Sequence, residues 1–280
     1  MSQSTQTETS YLLGHSNEEV RRLERQADFV NSLTTRLFET AGIAPGMRVL
    51  DVGSGAGDVA LLLADYVGPE GSVVGVELNP NMVQLARLRA QAAGLSTISF
   101  LAGDINTIAL EGEFDAIVGR LVLLYIRDKV AALRHLLEHL RPGGIVAFQD
   151  LEFAGMGMSW PPSPLLTRTT DWVREAFRRS GAEPHMGLHL YRLFLDAGLP
   201  APQMELITTV GGGPDWEGYY QLAGVVRTLL PVMLKLGIAT EEEVGIETLE
   251  QRLREAAAEQ HGAATAIGLM SAWTRKAECQ

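Results

Sequence analysis

Three glycines spaced two residues apart give this sequence its clearest chemical signal. The segment from Val49 to Asp58 reads Val-Leu-Asp-Val-Gly-Ser-Gly-Ala-Gly-Asp, an apolar stretch that runs into glycines at positions 53, 55 and 57. Glycine adopts positive φ values and lets a ligand approach the backbone closely. A helix that begins directly after such a turn presents free amide groups. The segment therefore predicts a ligand held between a buried strand and a helix; a tight turn without a ligand is the alternative interpretation.

The spacing of the glycines separates two kinds of ligand. The dinucleotide fingerprint is G-x-G-x-x-G, but here Asp58 occupies the third glycine position and the glycine comes one residue earlier, at Gly57. With Asp51 two positions before the first glycine, the segment resembles the signature of class I methyltransferases that use S-adenosylmethionine (SAM). The resemblance is to the small-molecule type, similar to the ubiquinone and menaquinone biosynthesis group. It covers about residues 10–210, and residues 140–144 match the family's turn before its fifth strand.

This resemblance implies a SAM-binding role for residues scattered along the chain. The glycine turn (Gly53, Gly55 and Gly57) is expected to hold the methionine part of SAM, and Asp51 to help orient its amino group. Glu77, at the end of a strand, is expected to accept hydrogen bonds from both ribose hydroxyls. The remaining positions that the resemblance implicates are Leu78, Met82, Gly103, Asp104 and Ile105 around the adenine or ribose, Arg120 near the methionine arm, and Tyr11 in a segment that closes over SAM.

Candidates for catalysis follow from what methyl transfer requires. Transfer from a sulfonium is an in-line displacement, so the protein mainly aligns the reactants and excludes water. A base is needed only when the acceptor must lose a proton. The candidates are His15 beside Tyr11, Asp150 at the carboxyl end of the fifth strand, where open α/β sheets place their active sites, and His189 at the start of a helix. For each of these residues a packed or solvated structural role is the alternative, and no metal site is predicted.

Strands and helices alternate from residue 48 to residue 150, which is typical of a mostly parallel sheet with helices on both faces. The predicted strands are 48–51, 72–77, 98–102, 114–119 and 145–150, and the predicted helices are 59–66, 80–93 and 128–140. Before them, a capping box at residues 16–19 starts a helix with one apolar stripe that ends at Gly42.

Beyond residue 150 the alternation stops. Residues 151–164 are rich in glycine and proline and predict a loop; 165–180, 188–197, 216–236 and 241–260 predict helices, and 203–210 and 264–274 predict strands. The resulting fold prediction is a Rossmann-like α/β, seven-stranded mixed sheet of order 3-2-1-4-5-7-6. Its predicted divisions are a tail, lid segment and helix in 1–42, a SAM-binding domain in 43–210 plus 263–280, and an inserted helical cap in 211–262.

Composition limits the kinds of molecule that this protein is expected to bind and the compartment in which it is expected to work. A net charge of −11 argues against a nucleic-acid partner and against anionic membranes. The longest apolar runs are too short to cross a bilayer, and residues 1–10 lack the pattern of a signal peptide, so a cytoplasmic protein is expected. The single cysteine, Cys279, excludes an intrachain disulfide and a cysteine-based zinc site.

The function expected from this sequence is SAM-dependent methylation of a small, partly apolar metabolite at oxygen or carbon, with a homodimer as one possible assembly. Two alternatives remain open. One is a SAM-binding protein of the same fold that acts as a cyclase or regulator without transferring methyl. The other is a nicotinamide oxidoreductase using NAD(P), which the aspartate at position 58 disfavours.

Overall fold

The computed structural model describes residues 31–278, and the chain divides into two units within them. The sheet unit contains residues 31–151, 185–207 and 269–278, and the helical unit contains residues 152–184 and 208–268. No helix of the described residues combines the length and the apolar character needed to cross a membrane.

Ten strands lie in the described part of the chain and form two sheets. They are β1 Arg48–Val52, β2 Ser72–Glu77, β3 Ile98–Ala102, β4 Phe114–Arg120, β5 Leu140–Glu152, β6 Ser159–Trp160, β7 Gln203–Ile207, β8 Val210–Gly212, β9 Ala263–Thr265 and β10 Gly268–Arg275. The large sheet has the order β3-β2-β1-β4-β5-β10-β7, and the small sheet has the order β6-β9-β8.

The helix predicted over 241–260 is two helices, divided at Gly245 in a left-handed conformation, and the other predicted helices from residue 59 onward lie close to their expected positions. The capping box predicted at residues 16–19 lies outside the described residues. The helices of the described residues are α1 (31–41), α2 Asp58–Val67, α3 Pro80–Ala92, α4 Lys129–Glu138, α5 Pro164–Arg179, α6 Met186–Asp196, α7 Gly218–Lys235, α8 Glu241–Val244 and α9 Ile246–Gln260, with a 3-10 turn at Leu123–Tyr125. Three helices of the sheet unit start on local caps, since Asn79 and Asp128 accept from amides of α3 and α4, and Gly57 adopts a left-handed conformation before α2.

The large sheet confirms the predicted topology. Strands β1 to β5 are parallel, whereas β10 pairs antiparallel with β7. Counted as seven successive strands, the order is 3-2-1-4-5-7-6. Central strands such as β1 and β4 are buried on both faces, which explains why their sequences are apolar runs without alternation.

The fifth strand begins earlier than predicted. Residues 140–144 were expected to form a turn before a strand at 145–150, but β5 already starts at Leu140 and pairs there with Phe114. The next pair is Ala116 with Ile145, so β5 uses five residues where β4 uses two. The Pro-Gly-Gly segment therefore forms a bulge within the strand, and Gly143 supplies a positive φ of 70°.

Two predicted strands are each divided in the structure. Residues 203–210 give β7 and then β8, and residues 264–274 correspond to β9 and then β10. In each case one of the two strands, β8 or β9, belongs to the small sheet, in which β9 pairs with both β6 and β8. Gly211 and Gly212, predicted to belong to the helical cap, are part of β8 in this small sheet, and Trp160 from the predicted loop 151–164 is part of β6.

The helical unit is larger than the predicted cap of residues 211–262, because residues 152–184 belong to it as well. Helix α5 was assigned to the SAM-binding domain by its position before residue 210. Its apolar stripe, which includes Leu166, Val173 and Phe177, is buried, and the helix packs on α7 and α9. Helix α5 therefore belongs to the helical unit because its apolar side chains pack against α7 and α9, although its residues precede position 210.

Candidate functional site

The glycine turn between β1 and α2 is shaped by positive φ values and by one close neighbour. Gly53, Gly55 and Gly57 have φ values of 69°, 52° and 89°. A Cβ atom on Gly53 would lie 2.4 Å from Cγ2 of Val122, in the segment after β4, whereas a Cβ on Gly55 would meet no atom within 4 Å. Gly53 is therefore required by packing and conformation, and Gly55 leaves open space above the backbone that a ligand can approach.

An arginine that sequence reasoning did not single out supports this turn. Arg89, in the last turn of α3, donates from Nη1 to the carbonyl oxygen of Ala56 at 2.7 Å. Its Nη2 lies 2.7 Å from Oδ1 of Asp58, the residue that replaces the third glycine of a dinucleotide fingerprint. A basic residue near a helix C-terminus is common, so the sequence offers no signal that separates Arg89 from a solvated side chain.

Asp51 lies at the carboxyl end of β1 with 1% of its surface exposed. Neither carboxylate oxygen has a hydrogen-bond partner of ordinary geometry in the described chain. Burial raises the pKa of Asp51 to about 7; the Arg120 guanidinium and the Ala60 amide lower it, and the Asp58 and Glu77 carboxylates raise it. A buried carboxyl without a partner is costly, so this side chain is suited to a cationic ligand.

Glu77 ends β2 directly beside the glycine turn. Its Oε2 accepts from the amide of Gly55 at 3.1 Å and its Oε1 accepts from the amide of Asn79 at 2.8 Å. A carboxylate accepts about four hydrogen bonds, so acceptor capacity remains for a ligand. The next residue, Leu78, is 71% exposed although it is large and apolar, and Met82 on α3 is half-buried. The structure therefore places an acid and an exposed apolar side chain together at this strand end.

The segment after β3 forms a compact turn. Asp104 is exposed, and its Oδ1 accepts from the amide and the side-chain amide of Asn106 at 2.8 and 2.6 Å. Ile105 is buried, and a Cβ on Gly103 would lie 2.7 Å from Ile108. The carboxylate predicted to meet the adenine is thus accessible, whereas the Ile105 side chain is largely part of the core.

Arg120 ends β4 and belongs to a polar network that the sequence did not predict. Its Nη1 donates to Oδ1 of Asn31 at 2.9 Å and to Oγ1 of Thr34 at 3.1 Å. Thr34 donates to Oε1 of Gln149 at 2.8 Å, and Nε2 of Gln149 donates to Oγ of Ser271 at 2.8 Å. Burial lowers the pKa of Arg120, against the effect of the Asp58 and Asp51 carboxylates. The network joins α1 to β4, β5 and β10.

The catalytic candidates are placed differently from one another. Asp150 on β5 has no exposed surface, and its Oδ2 accepts from the amide of Leu123 at 3.1 Å. Burial raises the pKa of Asp150 to about 8, although nearby amides, including that of Leu123, lower it. His189 lies on α6 with its side chain exposed. Tyr11 and His15 lie outside the described residues. Within residues 31–278, no three His, Cys, Asp or Glu side chains gather as a metal-binding group.

Comparison with known proteins assigns the chain to a family. A family model described as a methyltransferase domain matches residues 43–181. The aklanonic acid methyltransferase DauC of Streptomyces sp. (strain C5) is 33% identical over an alignment of 171 residues that covers 53% of this chain and 78% of that protein. The chain belongs to the class I SAM-dependent methyltransferases. The ubiquinone/menaquinone biosynthesis C-methyltransferase UbiE of Ectopseudomonas mendocina (strain ymp) is another relative of the chain. It is 34% identical over an alignment of 142 residues that covers 50% of this chain and 53% of that protein.

The fold agrees with this assignment. A solved structure of a putative methyltransferase from Bacillus halodurans C-125 superposes with a TM-score of 0.59 at 14% identity and covers 87% of this chain and 98% of that chain. The chain, a sequence of 280 residues, spans about half the length of several of the curated relatives it matches. The resemblance drawn from the glycine spacing is thereby confirmed, and SAM is the co-substrate of the family.

Proposed function

We propose that this protein transfers a methyl group from SAM to a small molecule. The observation that carries the proposal is the buried, unpartnered carboxyl of Asp51 beside a glycine turn whose backbone is open at Gly55. An uncompensated buried carboxyl is unfavourable, and the ammonium group of the methionine part of SAM compensates it when it binds there. A pyrophosphate at the same turn would add negative charge next to Asp51 and Glu77.

The residues at the neighbouring strand ends fit the other parts of SAM. Glu77 is fixed by the Gly55 and Asn79 amides and has acceptor capacity left for the ribose hydroxyls. Leu78 offers an exposed apolar surface to the adenine, and Asp104 has an accessible carboxylate for the adenine amino group. Together with Asp51, these three side chains lie at or just after the carboxyl ends of β1, β2 and β3, which are neighbours in the sheet because β1 pairs with β2 and β2 pairs with β3.

The chemistry supplied by SAM is a methyl group already activated on a sulfonium. The work of the protein is therefore to bind, to orient and to exclude water. In this proposal Asp150 positions the 3-10 turn after β4 through its bond to the Leu123 amide, since it has no exposed surface with which to meet an acceptor. The acceptor is proposed to be a small metabolite methylated at carbon or oxygen, by analogy with relatives named for aklanonic acid and for quinone biosynthesis.

Binding and transfer are tested separately. Calorimetry with S-adenosylhomocysteine should show a single site, and the Glu77→Gln variant should bind about 10-fold more weakly or worse, because it loses a charged acceptor. Glu70→Gln is the matched control, since Glu70 is an exposed carboxylate in the loop after α2. A wild-type protein that does not bind S-adenosylhomocysteine, or a Glu70→Gln effect as large as that of Glu77→Gln, contradicts the proposal.

Transfer is measured with SAM labelled in its methyl group and a panel of phenolic, enolic and quinol acceptors. Label that moves from SAM to an organic product supports the methyltransferase. Tight binding of SAM without any transfer favours the alternative of a SAM-binding cyclase or regulator. Binding of NAD(H) in preference to S-adenosylhomocysteine in a competition titration would contradict the assignment of the turn to SAM.

A further inference from the structure

The small sheet β6-β9-β8 packs against the helical unit with one of its two faces. Successive residues of a strand point to opposite faces of a sheet. On the packed face, Ala264 of β9 is buried, and a Cβ atom on Gly211 of β8 would collide with the ring of Trp216. The residues that alternate with Ala264 and Gly211 therefore lie on the opposite face.

The opposite face carries two rows of residues, one beside the other. They are Trp160, Ala263 and Gly212 in the first row, and Met158, Thr265 and Val210 in the second. Trp160, Met158 and Val210 are 78%, 62% and 65% exposed. Neighbouring strands lie about 5 Å apart, so these three large side chains form one apolar patch. A contiguous apolar patch of this kind is often a site of interaction.

The first row combines a protruding side chain with a depression. Trp160 stands at one side of the row, whereas Ala263 has only a methyl group and Gly212 has no side chain. A Cβ atom on Gly212 would collide with the carbonyl oxygen of Gly262, so the backbone keeps this position small. A two-fold interface brings the same surface of two molecules together and must be complementary to itself. A surface that offers both a large side chain and a space beside it meets this requirement.

The segments that build this face contain no charged residue. Residues 155–163, 208–214 and 261–266 include no Asp, Glu, Lys or Arg, although these four types make up 20% of the chain. Two copies of a chain with a net charge of −11 repel each other, so a contact that buries no ionised side chain is the favourable one. Tryptophan and methionine are enriched, and charged residues depleted, at the centre of protein–protein interfaces. The charge of the face therefore suits an identical, uncharged face on a second copy.

We propose that this face of the small sheet is the interface of a homodimer, in which Trp160 of each copy occupies the depression at Ala263 and Gly212 of the other. With side-chain areas of about 150–250 Å² each, the three large side chains expose roughly 400 Å². Together with the smaller residues around them, two copies bury about 1,000 Å² in total, which is the lower limit for a specific interface. The dimer should therefore dissociate in the micromolar range. This inference goes beyond the proposed function and does not depend on it.

Sedimentation velocity of the full chain measures the association. The wild type should change from monomer to dimer between about 1 and 200 μM. Trp160→Ala removes the protruding side chain at both contacts of the two-fold interface, so the dissociation constant should rise by about 100-fold or more. Leu88→Ala is the matched control, because Leu88 is an exposed apolar residue on α3 in the sheet unit, and its dissociation constant should equal that of the wild type.

A mixture of two variants tests the complementarity itself. Ala263→Trp fills the depression and keeps Trp160, so two copies of this variant should collide and stay monomeric. Trp160→Ala lacks the protruding side chain and keeps the depression. The two variants should form a heterodimer when mixed, because Trp160 of one chain enters the open depression of the other and the filled depression meets the space that Trp160 leaves. Only a direct contact between these two positions predicts this rescue.

Met158→Ala and Val210→Ala are measured as well, and they replace Trp160→Ala where circular dichroism shows that this variant is not folded. Each should weaken the dimer, since both side chains belong to the apolar patch. A wild type that is monomeric over the whole concentration range overturns the proposal, and so does a dimer that persists unchanged in the folded variants. Two folded variants that remain monomeric when mixed overturn the placement of Trp160 in the depression.

Co-sedimentation with vesicles of phosphatidylcholine distinguishes a second copy from a lipid surface. The wild type should stay in solution with and without vesicles. Vesicles that capture a monomeric wild type but not Trp160→Ala would assign the face to a lipid surface and overturn the homodimer. Each of these contrary outcomes leaves the proposed function intact, because none of them concerns the SAM site.

Discussion

Asp51 and Arg120 lie on the same face of the parallel β1–β4 pair, and neither compensates the other by an ion pair. Burial raises the pKa of Asp51 to about 7, and the Arg120 charge reduces this effect without cancelling it. The free protein therefore holds Asp51 partly protonated near neutral pH. A ligand ammonium beside Asp51 favours the charged form and lowers this pKa, so binding and proton release are linked at this residue.

Binding of S-adenosylhomocysteine should release a proton below about pH 7. Asp51 is largely protonated at pH 6 in the free protein and ionised in the complex, so affinity should rise as the pH increases from about 5 to 7 and level off above. Calorimetry in phosphate and in Bis-Tris at pH 6 measures this release as a difference in observed heat. Asp51→Asn should abolish the difference. Equal heats in the two buffers for the wild type would count against an ionisation of Asp51 on binding.

Substitution of Gly53 should expose the contact between the glycine turn and the segment after β4. Gly53→Ala adds a methyl group 2.4 Å from Val122 at a φ of 69°, and it should cost roughly 2–5 kcal/mol from overpacking and the left-handed backbone together. Gly55→Ala meets no neighbour, so it should cost only about 1–2 kcal/mol.

The control for that contact is the double variant Gly53→Ala with Val122→Ala. It should be more stable than the sum of the single changes by roughly 1–3 kcal/mol, because the smaller side chain removes the collision. Urea unfolding of the wild type, of the single variants Gly53→Ala and Val122→Ala, and of the double variant measures each free-energy difference. Strict additivity would show that Val122 does not set the space at Gly53.

Local sequence features predicted the part of the site that lies on β1 and β2. The glycine spacing, Asp51 and the strand-end acid Glu77 are short-range patterns with a direct conformational cause. The hydrogen bonds that join Arg120 to Thr34 and Thr34 to Gln149 were not predictable, because these pairs lie 86 and 115 residues apart in the sequence. Polar residues that meet only through strand order leave no periodic signal in the sequence.

The same difference between local patterns and distant contacts explains where the fold prediction was wrong. The order of the seven strands followed from the alternation of strands and helices, which is a long and regular pattern. The bulge in β5 and the small sheet β6-β9-β8 involve Gly-rich segments that suit a turn as well as a strand. Which of the two forms depends on partners far away in the sequence, such as Ser159 and Ala264.

Asp150 should make stability depend on pH in a defined window. Its pKa is raised to about 8 in the folded protein, against about 3.9 in an unfolded chain. The folded state therefore keeps a proton that the unfolded state loses, and the contribution of Asp150 to stability declines as the pH rises from about 4 to 8. Asp150→Asn cannot ionise, so its stability relative to the wild type should rise over this window and then stay constant.

Urea unfolding at pH 5, 7 and 9 tests this, with Asp65→Asn on the exposed surface of α2 as the matched control. The stability of the control should follow the wild type in parallel at the three pH values. A difference between Asp150→Asn and the wild type that does not change with pH would show that Asp150 is ionised throughout in the folded protein.

Gln149 joins three elements through its side-chain amide. Oε1 accepts from Thr34, and Nε2 donates to Ser271 and to the carbonyl oxygen of Leu33, with 1% of the residue exposed. Gln149→Leu leaves these buried partners unsatisfied and should lower the free energy of unfolding by roughly 1–3 kcal/mol, whereas Gln84→Leu on the exposed side of α3 should change it by less than about 0.5 kcal/mol.

The Gln149→Leu variant should also bind S-adenosylhomocysteine more weakly, because Thr34 holds the Nη1 end of Arg120 and is itself held by Gln149. Adding Ser271→Ala to Gln149→Leu removes one of the stranded polar groups and should recover part of the stability, since an apolar pair replaces a broken hydrogen bond. It should recover none of the affinity, because Ser271 is on the side of Gln149 away from Thr34 in the hydrogen-bond chain. Affinity that returns together with stability would mean that the network acts on SAM only through folding and not through the orientation of Arg120.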